Sequence, residues 1–172
     1  MLMGGMLSLE DMILRLVAAI LFGGIVGLER ELAGKEAGIR TDIMVAAGAA
    51  IFSIVGVTLP YLISLDAVHL KEVLARNSGF LGAVANVVVG VGFLGAGIIV
   101  KQGFQVKGLT TAATVWFVAA IGVLCGIGLV SFAAFASIIL SCLLYFMRHI
   151  DLYKIIGKRD GPRDDESDNR VA

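Results

Sequence analysis

The residues best equipped for chemistry fall in two short polar segments between long apolar runs. The first is Gly27-Leu28-Glu29-Arg30-Glu31, followed by Lys35, Glu36, Gly38, Arg40, Thr41 and Asp42. Four carboxylates and three cations lie close together there. Glu29 and Asp42 stand at the very ends of apolar runs, where partial desolvation strengthens an ion pair and makes an unpaired carboxylate costly. Pairs such as Glu29 with Arg40, or Asp42 with Arg30, would knit the segment into a helix bundle. Oxygens of Glu29 and Asp42 would also suit a hydrated Mg²⁺, which takes one or two carboxylates and keeps several waters. A solvated turn with helix-end charges accounts for the same residues without any ligand. The second segment is KQGFQVKGLTTAA, residues 101–113. Lys101 and Lys107 charge it, Gly103 and Gly108 punctuate it, and Thr110 or Thr111 can N-cap the helix that follows. Such a helix start points N–H groups and a positive dipole end at a carboxylate or an anion.

Catalysis has no comparable footing. The sequence contains no Ser/His/Asp array, no HExxH, no Walker A loop and no CxxC. His69 and His149 stand apart from any nucleophile or ligand set. Cys125 and Cys142 both lie in apolar stretches, which suggests neither a disulfide framework nor a zinc site. The string Gly90-Val91-Gly92-Phe93-Leu94-Gly95 matches G-x-G-x-x-G, but a dinucleotide site needs a preceding strand and an acidic residue about 20 positions on, and position 115 is valine. The chain is therefore expected not to be an enzyme.

The elements that must hold these segments are set by composition. Of 172 residues 58% are hydrophobic and only 16% charged, and the mean hydropathy is +0.93. Soluble domains run at about 45–50% apolar and about 25% charged, so the solvent for these helices is lipid. Lys plus Arg equals Asp plus Glu, 14 of each, which argues against a nucleic-acid partner. Apolar runs at roughly 12–28, 43–63 and 80–100 are each long enough to span a bilayer as a helix. The stretch from Ala112 to Met147 carries no charge and suits two helices, with Gly126-Ile127-Gly128 as the tight turn between them. In lipid every backbone group must be paired internally, which excludes isolated strands. The fold expected is an all-α polytopic membrane bundle of about five transmembrane helices. Eleven of the Lys and Arg residues then fall on one side of the membrane and two on the other, with Arg15 inside the first span beside Asp11 and able to snorkel outward. The positive-inside rule puts the N-terminus outside and the C-terminus in the cytoplasm. Residues 1–11 read as a short outer segment, 12–147 as the transmembrane domain, and 148–172 as a cytoplasmic tail whose end is too polar to fold alone. Residues 64–78 could form a short helix on the outer surface.

Inside the spans, Asn86 is the candidate for a hydrogen bond between helices. Gly92, Gly95, Ala96 and Gly97 make a small-residue strip, and Gly23-x-x-x-Gly27 and Gly122-x-x-x-Gly126 repeat the device. Three such strips point to a compact bundle or a dimer face, and Trp116 suits either the core or an interfacial belt.

The runs GGIVGLERELAGKEAGIRTDIMVAAGAAIFSIVG at 23–56 and GVGFLGAGIIVKQGFQVKGLTTAATVWFVAAIGVLCGIG at 90–128 resemble the MgtC/SapB membrane proteins. The resemblance covers about 12 to 147. It implies a bacterial inner-membrane protein of five spans, in a family associated with magnesium limitation and, in pathogens, with survival inside host cells. By position, the family's charged signature falls on Glu29, Arg30, Glu31, Lys35, Arg40 and Thr41. Its second signature falls on Gly92, Phe93, Leu94, Gly95, Ala96, Gly97, Gly108, Leu109, Thr110, Thr111, Ala112, Ala113 and Trp116. The family's Asp-Pro-x-Arg stretch before the third span is replaced here by Ala75-Arg76-Asn77-Ser78, and a Gln by Asn86. The chain reads as the short form, without the C-terminal soluble domain of longer members.

Two functions are expected to compete. One is a non-enzymatic accessory or regulatory protein of magnesium homeostasis that works through helix packing and its charged loop, with the bilayer and a second copy (as a dimer) or another membrane protein as partners. The other is a transporter or channel for Mg²⁺ or another small ion, which needs a polar path past Asn86 and helix breaks at Pro60 and 101–109.

Overall fold

The computed structural model describes residues 7–63, 79–102 and 104–149. The expected surface helix at 64–78 and the tail from residue 150 lie outside these. Among the described residues five helices are long and apolar enough to cross a membrane: α1 Leu9–Leu32, α2 Ile39–Ile63, α3 Gly79–Ile98, α4 Leu109–Gly126 and α5 Val130–His149. The 24 residues of α1 rise about 36 Å, more than the ~30 Å of bilayer hydrocarbon. Between α3 and α4 the chain forms one feature absent from the all-helical reading, an antiparallel hairpin of β1 Val100–Gln102 and β2 Gln105–Lys107. Its register pairs Val100 with Lys107 and Gln102 with Gln105, and Phe104 at its turn is fully exposed.

Helix ends are closed by local chemistry. Ser8 caps α1, its Oγ accepting the Asp11 N–H at 3.1 Å. At the other end Gly34 takes φ +65. Its N–H donates to the Glu31 carbonyl at 3.0 Å and the Lys35 N–H to the Arg30 carbonyl at 3.1 Å, the paired bonds of a Schellman motif. The turn after α4 repeats the pattern: Gly128 has φ +94, the Gly128 N–H donates to Cys125 and the Leu129 N–H to Leu124. The turn anticipated at 126–128 is there for the reason given, a backbone conformation that only glycine takes cheaply.

An arginine from another helix completes each of these two ends. Arg15 Nη1 donates to the Gly126 carbonyl at 2.8 Å, and Arg148 Nη1 to the Leu32 carbonyl at 3.1 Å. These satisfy carbonyls left free in the last turn and place positive charge at the negative dipole end. Arg15 thus does not snorkel free beside Asp11; its half-buried guanidinium lies against the turn at Gly128.

The packing centre is α2, which contacts α1, α3 and α4, while α5 lies on α1 and α4. Small residues make the contacts close. A Cβ placed on Gly23 would sit 2.7 Å from the Ala46 Cβ, and one on Gly126 would sit 2.6 Å from the Ala50 carbonyl oxygen. Two of the three glycine strips therefore do pack helices together, α1 against α2 and α4 against α2. The third does so only at Gly95, which faces Ala112 on α4; around Gly92 and Gly97 there is open space. The core between the helices is Ala18, Ala19, Val26, Ala46, Ala50, Val118, Ile121, Cys125 and Ala133. α2 runs unbroken through Pro60 to Ile63, so the break considered there does not occur.

Candidate functional site

The two polar segments meet at one end of the bundle, where α1 stops and α4 starts. Arg30, in the last turn of α1, is only 2% exposed. Its Nη2 donates to Thr111 Oγ1 at 2.8 Å, and the Thr111 hydroxyl in turn donates to Glu36 Oε2 at 2.8 Å. One buried hydroxyl therefore links a guanidinium on α1, a carboxylate in the turn before α2 and the first turn of α4. Hydrogen bonds to charged groups contribute about 1.5–3 kcal/mol each, more than neutral ones. Glu36 is exposed, and a backbone hydrogen bond, the Thr111 hydroxyl and the nearby Lys35 and Arg30 charges hold its carboxyl below the usual carboxylate range.

Other charges in the first segment have separate tasks. Glu31 Oε2 accepts the Ile39 N–H at 2.9 Å, satisfying one of the free N–H groups at the start of α2. Gly38 is needed for this: a Cβ there would lie 2.7 Å from that same oxygen. Asp42 is fully buried, its Cβ 3.0 Å from where a Gly27 Cβ would sit, and neither of its carboxylate oxygens has a hydrogen-bond partner. Arg30 Nε, also buried, has none either. The ion pairs proposed from sequence are not formed. Arg30 gives its hydrogen bond to Thr111 rather than Asp42, because α4 brings that hydroxyl directly over the end of α1. Arg40 is exposed at the surface, Lys35 is exposed in the turn, and Thr41 is half-buried.

Glu29 and Asp42 do not converge on a shared metal. Glu29 lines a groove between α1 and α5, whereas Asp42 is enclosed against α1 at Gly27. A Mg²⁺ ion that keeps its waters has no room at Asp42, beside the Arg30 charge. Among the described residues no group of three or more His, Cys, Asp or Glu could hold a metal ion.

In the second segment, Gly108 is the N-cap of α4 with φ +85, and no side chain caps that helix. The capping expected of Thr110 or Thr111 is thus absent. Thr111 commits its hydroxyl to Arg30 and Glu36, and Thr110 offers only its carbonyl, to the Thr114 hydroxyl at 2.8 Å. Lys107 is exposed on β2, and Trp116 is exposed on the outer face of α4 rather than in the core. Asn86 is exposed as well and lines an apolar groove of about 700 Å³ between α2 and α3. Glu36 and Gly38 stand in the charged segment that the sequence singles out, but no role of its own attaches to either there; the structure gives Glu36 the Thr111 hydrogen bond and sets Gly38 against Glu31.

A bundle of five bilayer-length helices, with a buried arginine–threonine–carboxylate link joining two loops at one end, defines a multi-pass membrane protein. The MgtC family matches residues 16–153. The chain is 45% identical over 123 residues to Protein MgtC of Brucella abortus (strain 2308), covering 72% of this chain and 45% of that protein. It is 42% identical over 136 residues to Protein MgtC of Salmonella typhimurium (strain 14028s), covering 79% of this chain and 52% of that protein. The chain belongs to the MgtC family. It spans about half the length of these curated relatives. No solved structure matches it.

Proposed function

We propose that this chain is a non-enzymatic accessory or regulatory protein of magnesium homeostasis in the bacterial inner membrane. Its working element is the Arg30–Thr111–Glu36 link, which holds the two polar loops in one fixed arrangement for contact with a membrane partner. The observation that carries the reading is that link itself: a charged group only 2% exposed, reaching across 81 residues of sequence to a hydroxyl rather than to solvent. A buried charge is expensive in a membrane and is kept where it does something. Family membership supports the magnesium connection. An ion path gains little support, because Asn86 is the one amide on a groove otherwise lined by apolar residues and glycine. Such walls offer an ion almost nothing in place of its hydration shell.

The test pairs growth complementation at low magnesium with Mg²⁺ flux in proteoliposomes of the purified protein. The reading expects complementation that Arg30→Ala abolishes, and no flux above empty liposomes. Robust flux that a Glu29 or Arg30 variant loses would replace it with transport.

A further inference from the structure

Asn86 lies in the first half of α3, a helix of 20 residues that rises about 30 Å and so crosses the hydrocarbon of a bilayer. Its side chain is exposed, and among the described residues its amide has no hydrogen-bond partner. Lipid tails offer an amide neither donors nor acceptors, so polar side chains at this depth pair with other protein groups. The amide opens on the apolar groove of about 700 Å³ between α2 and α3. Gly82 and Gly90, four residues before and after Asn86, share its face of α3, and Gly48, Phe52 and Leu59 line the α2 side. A Cβ placed on Gly48, Gly82 or Gly90 would meet no atom within 4 Å. Unlike Gly23 and Gly126, these glycines keep clear a surface that no described residue covers.

We propose that this groove is the interface of a parallel homodimer, with α3 of each copy seated in the α2–α3 groove of the other and the two Asn86 amides hydrogen-bonded across the two-fold axis. Copies insert in the membrane the same way round, so an axis along the membrane normal brings Asn86 opposite itself at its own depth. An amide carries both an acceptor oxygen and an NH₂ donor, and two of them satisfy each other by reciprocal bonds. An unrelated helix would have to present a polar group at that same depth, which a second copy does by symmetry. An acyl chain would fill the groove but leave the amide unpaired. Gly82 and Gly90 then meet their own counterparts, the spacing of small residues that lets two helix backbones cross closely in lipid. The interface involves no part of the Arg30–Thr111–Glu36 link, so the dimer forms whether or not that link serves magnesium homeostasis.

The test reconstitutes the purified chain, with one fluorophore on a C-terminal tag, in liposomes over a series of protein-to-lipid ratios and counts photobleaching steps per liposome. A dimer that dissociates on dilution is expected. Asn86→Leu, similar in size but without the amide, should weaken it about tenfold, the factor an interhelical hydrogen bond supplies in a membrane. Asn86→Gln should restore most of that loss. Gly90→Leu should abolish the dimer, while the open space at that position lets the chain itself fold as before, which helical circular dichroism checks. Leu81→Ala, at an exposed position outside the groove, should leave the dimer unchanged. Monomers at every density, or assemblies larger than two, would overturn the proposal. So would a dimer that Asn86→Leu and Gly90→Leu both leave intact, or one that Leu81→Ala weakens as much as they do.

Discussion

Gly27→Ala sets the packing of α1 on α2 against the intrinsic preference of a helix for alanine. A Cβ at Gly27 would lie 2.6 Å from the Ile39 Cα and 3.0 Å from the Asp42 Cβ. The first of these is backbone and cannot rotate away. Relief requires the helices to separate by roughly 0.8 Å, the shortfall between 2.6 Å and ordinary contact at 3.4 Å. Overpacking of this kind costs about 1–3 kcal/mol, against up to about 1 kcal/mol gained by replacing glycine within a helix. The net expectation is a loss of about 1–2 kcal/mol. Gly24→Ala is the control on the same helix. Its Cβ would meet only the Ile43 side chain, at 3.6 Å, so the helix preference stands alone and the variant should match or exceed the wild type. Reversible unfolding in mixed micelles, followed by helical circular dichroism, should separate the two variants by about 2 kcal/mol. Equal stability of Gly27→Ala and Gly24→Ala would refute the close approach of α1 and α2 at Asp42.

Further outcomes follow from the charged link. Thr111→Val leaves the buried Arg30 guanidinium without its acceptor and should destabilise the protein by about 1–3 kcal/mol in the same unfolding assay, while Thr111→Ser should recover most of the loss. Glu36 is held below the usual carboxylate range by its backbone hydrogen bond, the Thr111 hydroxyl and the Lys35 and Arg30 charges. Its stabilising effect is therefore complete above that range and lost as pH falls through the lowered value, so Glu36→Gln should flatten the acid side of a thermal-stability profile. In a low-magnesium growth assay Arg30→Ala should fail where Arg40→Ala, at an exposed position, grows.

The spans were legible because a charge at the bilayer centre is costly, so stretches free of charge mark the helices directly. The turn at 126–128 was legible because a Schellman ending needs a residue at positive φ and glycine supplies it. What the sequence concealed lies between elements. Thr111 reads as a cap by its position, yet its hydroxyl serves Arg30, and nothing local announces a partner 81 residues away. Arg15 has Asp11 four residues before it, a pairing that looks sufficient, but the end of α4 gives it a carbonyl instead. Glycine spacing identifies a smooth helix face without saying what covers it. Gly23 and Gly122 proved to be contacts with α2, whereas Gly92 fits the same pattern and meets open space. The hairpin at 100–107 is not legible in the sequence because its strands are only three residues long and β2 is exposed throughout, so no alternation of burial marks it.

The two polar loops lie at one end of the bundle, joined through Arg30 and Thr111. The most direct measurement introduces single cysteines at Lys35 and at Lys107, with Cys125 and Cys142 replaced by serine, and labels intact cells and inverted vesicles with a membrane-impermeant thiol reagent. Both positions should react from the same side, the cytoplasmic one, in inverted vesicles and not in intact cells. Labelling of the two positions from opposite sides would contradict the fold, the site and the function together.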